Sequence, residues 1–345
     1  MHNLGVPNRV AIVGATGYAG GELARLLLRH SGVTIVAAVA RSHQGEPLRD
    51  VQSHLHSAPD GLRVGGDVGD AEIVFTALPT GEAAKQAPQW LTDGRRIIDI
   101  GSDFRLKDPL DYERWYGYTH PAPELLAESL YGLTEFARKA LVKARIVANP
   151  GCYPTASLLA LAPAATHRLI DTDVIVDAKS GVSGAGHIVD DAYLYGTVDE
   201  SVRAYGVPKH RHTPEIAQEL AALGGARPRL TFTPHLIPMT RGLIATCYAP
   251  LRSGVTAAQV AEAYIESYAG EPFVRYVNAF PPTKATLGSN WCLVHAVVDE
   301  DNRRLIAVGV LDNLVKGAAG QAIQNLNLMC GLPETTGLEA LPLWP

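Results

Sequence analysis

One cysteine stands where its thiol could act as a nucleophile. Cys152 follows Pro150 and Gly151, which together force a turn, and the residues after it up to Leu161 have the composition of a helix. The dipole and the free N–H groups at the start of a helix favour a thiolate, so this position would lower the pKa of the thiol. The alternative is that Cys152 is a small side chain buried in the core and has no catalytic role. The other cysteines lie inside apolar runs and are predicted to be core residues: Cys247, Cys292 and Cys330.

A thiol nucleophile needs a base, and residues 209–215 contain the candidates. His210 and His212 are two residues apart, and Glu215 follows three residues after the second histidine. A Cys–His pair must be adjacent in space but not in sequence, so either histidine could serve, with Glu215 orienting it. The same residues could instead bind a metal ion, but no third and fourth ligand occurs at a suitable spacing. The pattern therefore predicts nucleophilic catalysis and no metal.

Three glycines spaced as GxxGxxG predict a nucleotide site near the amino terminus. Gly14, Gly17 and Gly20 follow an apolar strand, residues 9–13, and open a helix. A second strand, Val33–Val39, completes a βαβ unit of the expected length, about 30 residues. Glycine lets the backbone turn tightly and approach a pyrophosphate at a helix N-terminus. This context favours a nucleotide-binding turn over a purely structural one.

The end of the second strand indicates which dinucleotide would bind. An NAD enzyme usually has Asp or Glu there to hold the ribose 2′-hydroxyl, whereas this chain has Arg41 and Ser42. A guanidinium and a hydroxyl suit a 2′-phosphate, so NADP(H) is favoured as the cofactor. The alternative is that Arg41 is a solvated cation of a surface loop.

A glycine- and serine-rich segment, residues 180–186, follows a further apparent strand. The backbone N–H groups of such a segment could bind an anion, either a phosphate or a developing oxyanion. A flexible surface turn is the alternative for this composition.

The elements of the first half predict an α/β architecture. Strands are expected over residues 72–77 and 96–100, with a helix over residues 82–91 between them. Strands that alternate with helices favour a doubly wound, Rossmann-type parallel sheet.

The second half has a different character. Beyond Asn149, apolar runs follow one another with few helices between them, which favours an α+β domain with a mixed or antiparallel sheet: residues 229–233, 243–248, 291–298 and 304–311. A final helix over residues 313–329 has apolar residues at helical spacing and is expected to return to the first domain. The domains predicted are 1–150 plus 313–345, which would bind NADP, and 151–312.

The composition is that of a folded protein with small-molecule partners. The chain has 345 residues, 47% of them hydrophobic, and a formal net charge of −5. This length suggests two domains, and the apolar fraction excludes a disordered chain. Without a basic cluster, nucleic-acid binding is not expected. The cysteines are too sparse for a disulfide framework, and no segment resembles a signal peptide or membrane span, so a cytoplasmic protein is expected.

The chain resembles the N-acetyl-gamma-glutamyl-phosphate reductases, the arginine-biosynthesis branch of the semialdehyde dehydrogenase superfamily. The motifs that carry the resemblance occur along nearly the whole chain: GATGYAG at 14–20, GSDFRL at 101–106, NPGCYPT at 149–155, KSGVSGAG at 179–186, HRH at 210–212, IPMTRG at 237–242 and DNLVKG at 312–317. The cysteine motif is the most specific of them. The chain departs from the family at His187, where arginine is usual.

This resemblance implies a reversible, NADP-dependent reduction of an acyl phosphate to an aldehyde. Cys152 would attack the acyl carbon, expel phosphate and form a thioester, and hydride from NADPH would then give a thiohemiacetal that releases the semialdehyde. We assign His212 as the acid/base, with Glu215 orienting it and His210 as the alternative.

The resemblance also implies which residues contact the small molecules. The expected cofactor contacts are Gly14, Thr16, Gly17, Tyr18, Ala19, Arg41, Ser42, Leu78, Pro79, Ser183, Gly184 and Asn313. The expected substrate contacts are Arg105, Asn149, Ser180, Arg211 and Arg241. The arginines are included because a guanidinium binds a carboxylate or a phosphate with two hydrogen bonds. A homo-oligomer, either a dimer or a tetramer, is implied as well.

Two other functions remain open at this point. A carrier-protein-linked aminoadipyl-phosphate reductase of lysine biosynthesis would have the same site chemistry, and Lys209 and Arg211 could face an acidic carrier. The patterns at 282–284 and 288–290 favour the arginine enzyme. A non-catalytic NADP-binding sensor would keep the nucleotide site and have an inert Cys152.

Overall fold

The computed structural model describes residues 7–187 and 189–344, which form two compact units. The first unit extends to Gly151 and takes in Ala318–Ala340. The second unit consists of Cys152–Gly317 and the chain from Leu341 onward. None of the helices in these described ranges has the length and apolar character needed to cross a membrane.

Each unit contains one sheet. The strands of the first sheet are β1 (Asn8–Val13), β2 (Val33–Val39), β3 (Val64–Gly65), β4 (Ile73–Thr76), β5 (Arg96–Asp99), β6 (Leu130–Tyr131) and β7 (Ile146–Ala148). The strands of the second sheet are β8 (Asp173–Ser180), β9 (Arg203–Ala204), β10 (Arg229–Leu236), β11 (Leu243–Pro250), β12 (Val274–Tyr276), β13 (Cys292–Asp299) and β14 (Arg304–Leu311).

The helices lie between and after these strands. They are α1 (Tyr18–Leu27), α2 (Leu48–Val51), α3 (Glu82–Thr92), α4 (Pro109–Tyr116), α5 (Thr134–Leu141), α6 (Cys152–Thr166), α7 (Tyr195–Val198), α8 (His212–Gly224), α9 (Ala257–Tyr268) and α10 (Gly320–Met329). The long helices α6, α8 and α9 belong to the second unit, and α10 belongs to the first.

The first sheet is parallel throughout, in the order β3-β2-β1-β4-β5-β7-β6. Its central strands are apolar and buried on both faces, as in β1, where Val10, Ala11 and Ile12 have no exposed surface. The chain passes from β1 to β2 on one side and later to β4 on the other. The crevice at the carboxyl end of β1 is therefore the switch point where ligands bind in such sheets. This arrangement confirms the predicted α/β class.

Polar side chains attach α10 to the first unit. The buried Asn325 donates a hydrogen bond of 2.8 Å to the carbonyl of Gly132 and accepts one of 2.6 Å from the hydroxyl of Thr134. Gln321 donates to the same carbonyl at 2.9 Å. The predicted return of the last helix to the first domain is confirmed.

The second sheet is mixed, in the order β12-β13-β14-β11-β8-β10-β9. The pairs β13–β14, β14–β11 and β11–β8 are antiparallel. Strand β12 runs parallel to β13 and β10 runs parallel to β8, whereas β9 is antiparallel to β10. Helix α6 packs against this sheet and is buried on all sides from Tyr153 to Ala165. The contact with β14 is close, because a Cβ on Gly309 would lie 2.4 Å from the carbonyl oxygen of Ala156.

A proline inside α6 explains a hydrogen bond from outside the helix. Pro163 has no N–H, so it cannot donate to the carbonyl of Leu159, four residues earlier. The hydroxyl of Tyr268 donates to that carbonyl, and the hydroxyl of Tyr264 donates to Ala160 at 2.6 Å. Helix α9 thus supplies bonds that keep α6 satisfied in the core.

The last helix begins later than predicted. The side chain of Asp312 accepts from the N–H groups of Leu314 and Val315, and residues Val315–Ala319 form a π-helical turn before α10 starts. Sequence periodicity does not distinguish this turn from an α-helix.

The two units also differ from the predicted domains at residues 313–317 and 341–344, which group with the second unit. The side chain of Asn313 bonds to the second-unit residues Ser183 and Gly242, and the N–H of Leu343 donates to the carbonyl of Leu287.

Candidate active site

The glycine turn between β1 and α1 has a conformation that requires glycine at two positions. Gly14 has a φ of +95°, and a Cβ there would lie 2.4 Å from the carbonyl oxygen of Ala77. A Cβ on Gly20 would lie 2.2 Å from the carbonyl oxygen of Gly14. Gly17 precedes α1, and a Cβ on it would approach no atom more closely than 3.6 Å. The open space at Gly17 fits a pyrophosphate at the helix N-terminus.

Hydrogen bonds hold this turn in place. The N–H of Gly14 donates to the carbonyl of Val39 at 2.8 Å. The amide of Gln52 donates to the carbonyls of Ala15 and Gly17 at 3.0 and 3.2 Å. The remaining predicted cofactor contacts of the turn, which are half-buried or exposed, are Thr16, Tyr18 and Ala19. The conformation of the turn is thus stabilised by bonds from β2 and from Gln52.

The predicted cofactor contacts outside the glycine turn include residues that follow β2 and β4. Arg41 and Ser42 are exposed, and Arg41 forms an ion pair with Glu82, the first residue of α3. Glu82 also accepts a hydrogen bond of 2.7 Å from Lys85, and the bonds from Lys85 and Arg41 lower the pKa of the Glu82 carboxyl. The predicted cofactor-wall residues Leu78 and Pro79 follow β4.

A pair of buried carboxylates, which the sequence reasoning missed, lies at the end of β5 and in the loop after it. Asp99 accepts hydrogen bonds from the hydroxyl of Thr76 and the N–H of Asp103, and its burial, then the charge of Asp103, raise its pKa. Asp103 accepts from the N–H groups of Gly81 and Ala84 at 2.7 and 2.9 Å, which caps α3. The GSD motif at 101–103 was the signal in the sequence.

Two predicted substrate contacts of the first unit bind its own backbone. Arg105 is 6% exposed and donates to the carbonyls of Asn149 and Ile100, both at 2.9 Å. Asn149 is fully buried, and its side chain donates to the carbonyl of Ala318 at 3.1 Å. These bonds fix the chain that leads toward Cys152, and a role in substrate binding stays a prediction for both residues.

Cys152 is the half-buried first residue of α6. A Cβ on Gly317 would lie 2.8 Å from the Cβ of Cys152, so only glycine allows this approach. Burial raises the pKa of the Cys247 thiol, and Cys292 is buried as predicted. Cys330 is half-buried, not a full core residue, because it lies just beyond the end of α10.

Both predicted histidines lie beside Tyr153, the residue that follows Cys152. The ring centres of His210 and His212 are 4.8 Å apart, and each lies 5.9 Å from the ring centre of Tyr153. His212 is the first residue of α8 and is 8% exposed, and Glu215 is fully buried in the first turn of that helix. Within the second unit, the structure therefore brings together the residues proposed to act with the thiol.

The ring of His210 has a lowered pKa and accepts a backbone hydrogen bond. Burial, and then the charge of Arg211, lower the pKa of His210 to about 4, so its ring is neutral near pH 7. The Nδ1 atom of His210 accepts from the N–H of His212 at 3.1 Å, which places the His210 ring proton on Nε2. His210 is thus built as a neutral acceptor.

Two tyrosines of this cluster were not predicted. The hydroxyl of Tyr205 donates to that of Tyr153 at 3.2 Å, and Tyr153 donates to the carbonyl of His235 at 3.1 Å. Burial raises the pKa of Tyr205 to about 12, and the charge of Cys152 acts in the same direction. Tyr153 could have been suspected from its position next to Cys152, whereas Tyr205 has no such signal.

The glycine- and serine-rich segment does not offer its backbone N–H groups to an anion as expected. Five of these groups donate to backbone carbonyls of the same unit: residues 181, 182, 183, 184 and 186. The segment packs closely, because a Cβ on Gly181 would lie 2.7 Å from the carbonyl oxygen of Met239. The predicted cofactor contacts Ser183 and Gly184 lie in this closed turn, and the predicted substrate contact Ser180 precedes it in β8.

Asn313 and Arg241 of the second unit have polar partners, whereas Arg211 is exposed. Asn313 donates to the hydroxyl of Ser183 at 2.9 Å and accepts from the N–H of Gly242 at 2.8 Å. Arg241 lies 3.7 Å from the carboxylate of the buried Asp312, and Arg211 is exposed just before α8. In residues 7–187 and 189–344, no group of three or more His, Cys, Asp or Glu residues could hold a metal ion.

Two family models match the chain. Residues 9–144 match the NAD binding domain of semialdehyde dehydrogenases, and residues 152–313 match the dimerisation domain of the same family. The two matches meet near the division between the compact units at Cys152.

Relatives with similar sequences share one name. Proteins named N-acetyl-gamma-glutamyl-phosphate reductase from Heliobacterium modesticaldum and Symbiobacterium thermophilum are each 49% identical to this chain, and one from Dehalococcoides mccartyi is 48% identical. Each similarity covers 98% of this chain and 99% of the relative. Among solved structures, an aspartate semialdehyde dehydrogenase from Vibrio cholerae has the same fold, with a TM-score of 0.72 at 19% identity over 95% of this chain and 99% of that one.

Proposed function

This chain belongs to the semialdehyde dehydrogenase family, and on that premise we propose that it reduces an acyl phosphate through a thioester on Cys152. It is an oxidoreductase that acts, like the relatives named above, on N-acetyl-gamma-glutamyl phosphate. This reaction is a step of arginine biosynthesis. The observation that carries the proposal is the place of Cys152 at the start of α6, in the same unit as the His210–His212–Tyr153 cluster. The first turn of α6 favours the thiolate over the thiol.

The reaction divides into an acylation and a reduction. The thiolate of Cys152 attacks the acyl carbon, the bond from that carbon to the phosphate oxygen breaks, and phosphate leaves. NADPH, when bound, supplies the hydride that reduces the resulting thioester. The thiohemiacetal oxygen then gives up its proton, the carbon–sulfur bond breaks, and the aldehyde and the thiolate are released.

Proton transfer in this scheme falls to His212. Its place at the start of α8, two residues after a neutral His210 that accepts from its backbone N–H, fixes the base next to Tyr153. Glu215, buried one helical turn later, is the candidate to orient it. General acid/base help of this kind typically contributes about 10²- to 10⁴-fold in rate.

The first unit holds the nucleotide. The turn at Gly14, Gly17 and Gly20 fits a pyrophosphate, and Arg41 with Ser42 would bind the 2′-phosphate that distinguishes NADP from NAD. Asn313, held by Ser183 and Gly242, is proposed to lie near the nicotinamide when the cofactor is bound.

The oligomer and the cellular compartment are proposed on separate grounds. A dimer or tetramer of identical chains is proposed, because the second unit matches a dimerisation domain. The cytoplasm is the proposed compartment, since the nucleophilic thiol must stay reduced and cysteine is scarce in the chain.

Substitution of the nucleophile tests the proposal. Cys152→Ser should lower kcat on N-acetyl-gamma-glutamyl phosphate by more than about 10³-fold, because a serine hydroxyl is a far weaker nucleophile at neutral pH. NADPH affinity should stay unchanged. Iodoacetamide should modify Cys152 much faster than the buried Cys247, whose pKa is raised by burial.

The controls separate this function from its alternatives. Cys247→Ser should retain turnover, since that thiol is buried in β11. Retained activity in Cys152→Ser would contradict the thioester, and an inert Cys152 thiol would favour a nucleotide sensor. Turnover that appears only when an aminoadipyl carrier protein is added would instead identify the lysine-pathway enzyme.

A further inference from the structure

An ion pair crosses the crevice in which the nucleotide is proposed to bind. Strand β1 lies between β2 and β4 in the sheet, and the glycine turn follows β1. Arg41 stands two residues after β2, and Glu82 stands six residues after β4. Their ion pair therefore joins the two sides of the carboxyl end of β1, where the adenosine half of a dinucleotide lies in such sheets.

Glu82 holds a second cation as well. Lys85, one turn further along α3, lies 2.7 Å from the other carboxylate oxygen of Glu82. The side chains of Arg41 and Lys85 are 90% and 61% exposed, whereas that of Glu82 is 22% exposed. One carboxylate thus sits between two solvent-facing cations, which is the arrangement that a phosphate group would need.

Two N–H groups at the start of α3 are already occupied. Those of Gly81 and Ala84 donate to the carboxylate of Asp103, so they are not available to an anion that approaches this end of the helix. Arg41 and Lys85 are cations that Glu82 joins at the same end.

We propose that Glu82 and Lys85 determine, together with Arg41, the selectivity for NADP(H) over NAD(H). This inference rests on the proposed cofactor preference. The carboxylate of Glu82 keeps both cations at the site while it is empty of nucleotide, and the 2′-phosphate replaces that carboxylate as their counter-ion. Lys85 is then a second phosphate ligand, and Glu82 opposes binding through its own negative charge.

The exchange is favourable for a 2′-phosphate and unfavourable for a 2′-hydroxyl. An exposed ion pair is weak, so a phosphate with nearly two negative charges can displace it. A neutral ribose hydroxyl cannot, and NAD would have to leave the pair intact or break it without compensation. Arg41 and Lys85 therefore add to the affinity for NADP and not to the affinity for NAD, whereas the charge of Glu82 subtracts from the affinity for NADP.

Binding of nucleotide fragments tests this without any catalytic step. We would measure, by calorimetry on the full chain, the Kd values of 2′,5′-ADP and 5′-AMP for the wild type and the variants Glu82→Gln, Lys85→Ala and Arg41→Ala. Glu82→Gln should tighten 2′,5′-ADP about two- to fivefold, and Lys85→Ala should weaken it by a similar factor. Arg41→Ala should weaken it about tenfold or more. The Kd of 5′-AMP should change little in Lys85→Ala and Arg41→Ala.

The control is Lys139→Ala, which removes an exposed cation of α5 in the same unit and should change neither Kd. If Glu82→Gln weakens 2′,5′-ADP, or if Glu82→Gln and Lys85→Ala leave the selectivity ratio unchanged while Arg41→Ala lowers it, the inference is wrong and the NADP preference stands. If Arg41→Ala also leaves the ratio unchanged and NADH supports turnover as well as NADPH does, the cofactor preference itself is wrong.

Discussion

At the residue scale, the contacts of His210 indicate different tasks for two neighbouring histidines. His210 is kept neutral by burial and by Arg211, and it accepts the N–H of His212. It is therefore a positioning residue in this scheme, whereas His212 is the proton carrier. His212→Asn should lower kcat by about 10²-fold or more with the Kd of NADPH unchanged.

The pH dependence of folding tests the state of His210. Its folded pKa of about 4 is below the unfolded value of about 6.5, so the unfolded chain binds more protons between these limits. The free energy of unfolding must then fall as pH falls from 6.5 toward 4. His210→Asn keeps an acceptor for the His212 N–H and should remove about 2 kcal/mol of that loss between pH 7 and 4.5, as measured by urea unfolding.

The exposed His167 provides the matched control, because His167→Asn should leave this pH dependence unchanged. An equal loss of stability in the wild type and in His210→Asn would show that His210 is not the buried neutral ring described above. If His210→Asn alone lowers kcat as His212→Asn is expected to do, the roles of the two histidines are exchanged.

At the scale of elements, two glycines of the turn between β1 and α1 have different roles. Gly20 is required by the fold, whereas Gly17 is proposed to leave space for the nucleotide. Gly20→Ala would place a Cβ 2.2 Å from the carbonyl oxygen of Gly14, so backbone must move, and we expect a loss of roughly 1–3 kcal/mol in unfolding free energy. Gly17→Ala meets open space, so its unfolding free energy should change by less than about 1 kcal/mol.

The affinity for NADPH should be lowered by Gly17→Ala even though that substitution leaves the fold intact. Gly17→Ala puts a methyl group into the proposed pyrophosphate space and should weaken NADPH about tenfold or more with folding intact. Thermal unfolding and NADPH titration of the two variants check both statements. A Gly17→Ala protein that binds NADPH as tightly as the wild type would place the pyrophosphate elsewhere.

The same elements show how much of the fold could be predicted. Strand β2 has the predicted bounds, Val33–Val39, and β1 differs by one residue, because β-branched runs bounded by glycine have one favourable local structure. The start of the last helix could not be predicted, since it depends on the Asp312 side chain and a π-helical turn. Sequence periodicity carries no information on either feature.

The candidate site residues also differ in how far they could be predicted from local sequence. Cys152 could be identified because Pro150 and Gly151 mark a turn before a helix, which is a local signal. Tyr205 could not, because its role arises from a partner distant in sequence, the hydroxyl of Tyr153. Whether a residue can be found from sequence thus depends on how local its interactions are.

At the scale of the molecule, the second sheet has one covered face and one open face. Side chains of β8 and β11 alternate between buried residues, which face α6 and its neighbours, and half-exposed ones. The alternate residues of the open face include several apolar side chains: Ile175, Ile244, Tyr248, Leu293 and Val297. Apolar residues that recur on an open sheet face fit the proposed homo-oligomer, in which a second copy would cover this surface.

A substitution on this face tests the proposed homo-oligomer. Leu293→Glu places a charge in the open face of β13, and the variant should dissociate to a monomer, because an uncompensated charge buried between two copies is strongly unfavourable. Light scattering coupled to gel filtration measures the mass directly. The control is Ile265→Glu, which changes an exposed residue of α9, a helix packed on the same unit, and should keep the oligomer. A Leu293→Glu protein with the mass of the wild-type oligomer would place the interface on another surface, and a wild type that is itself monomeric would contradict the oligomer altogether.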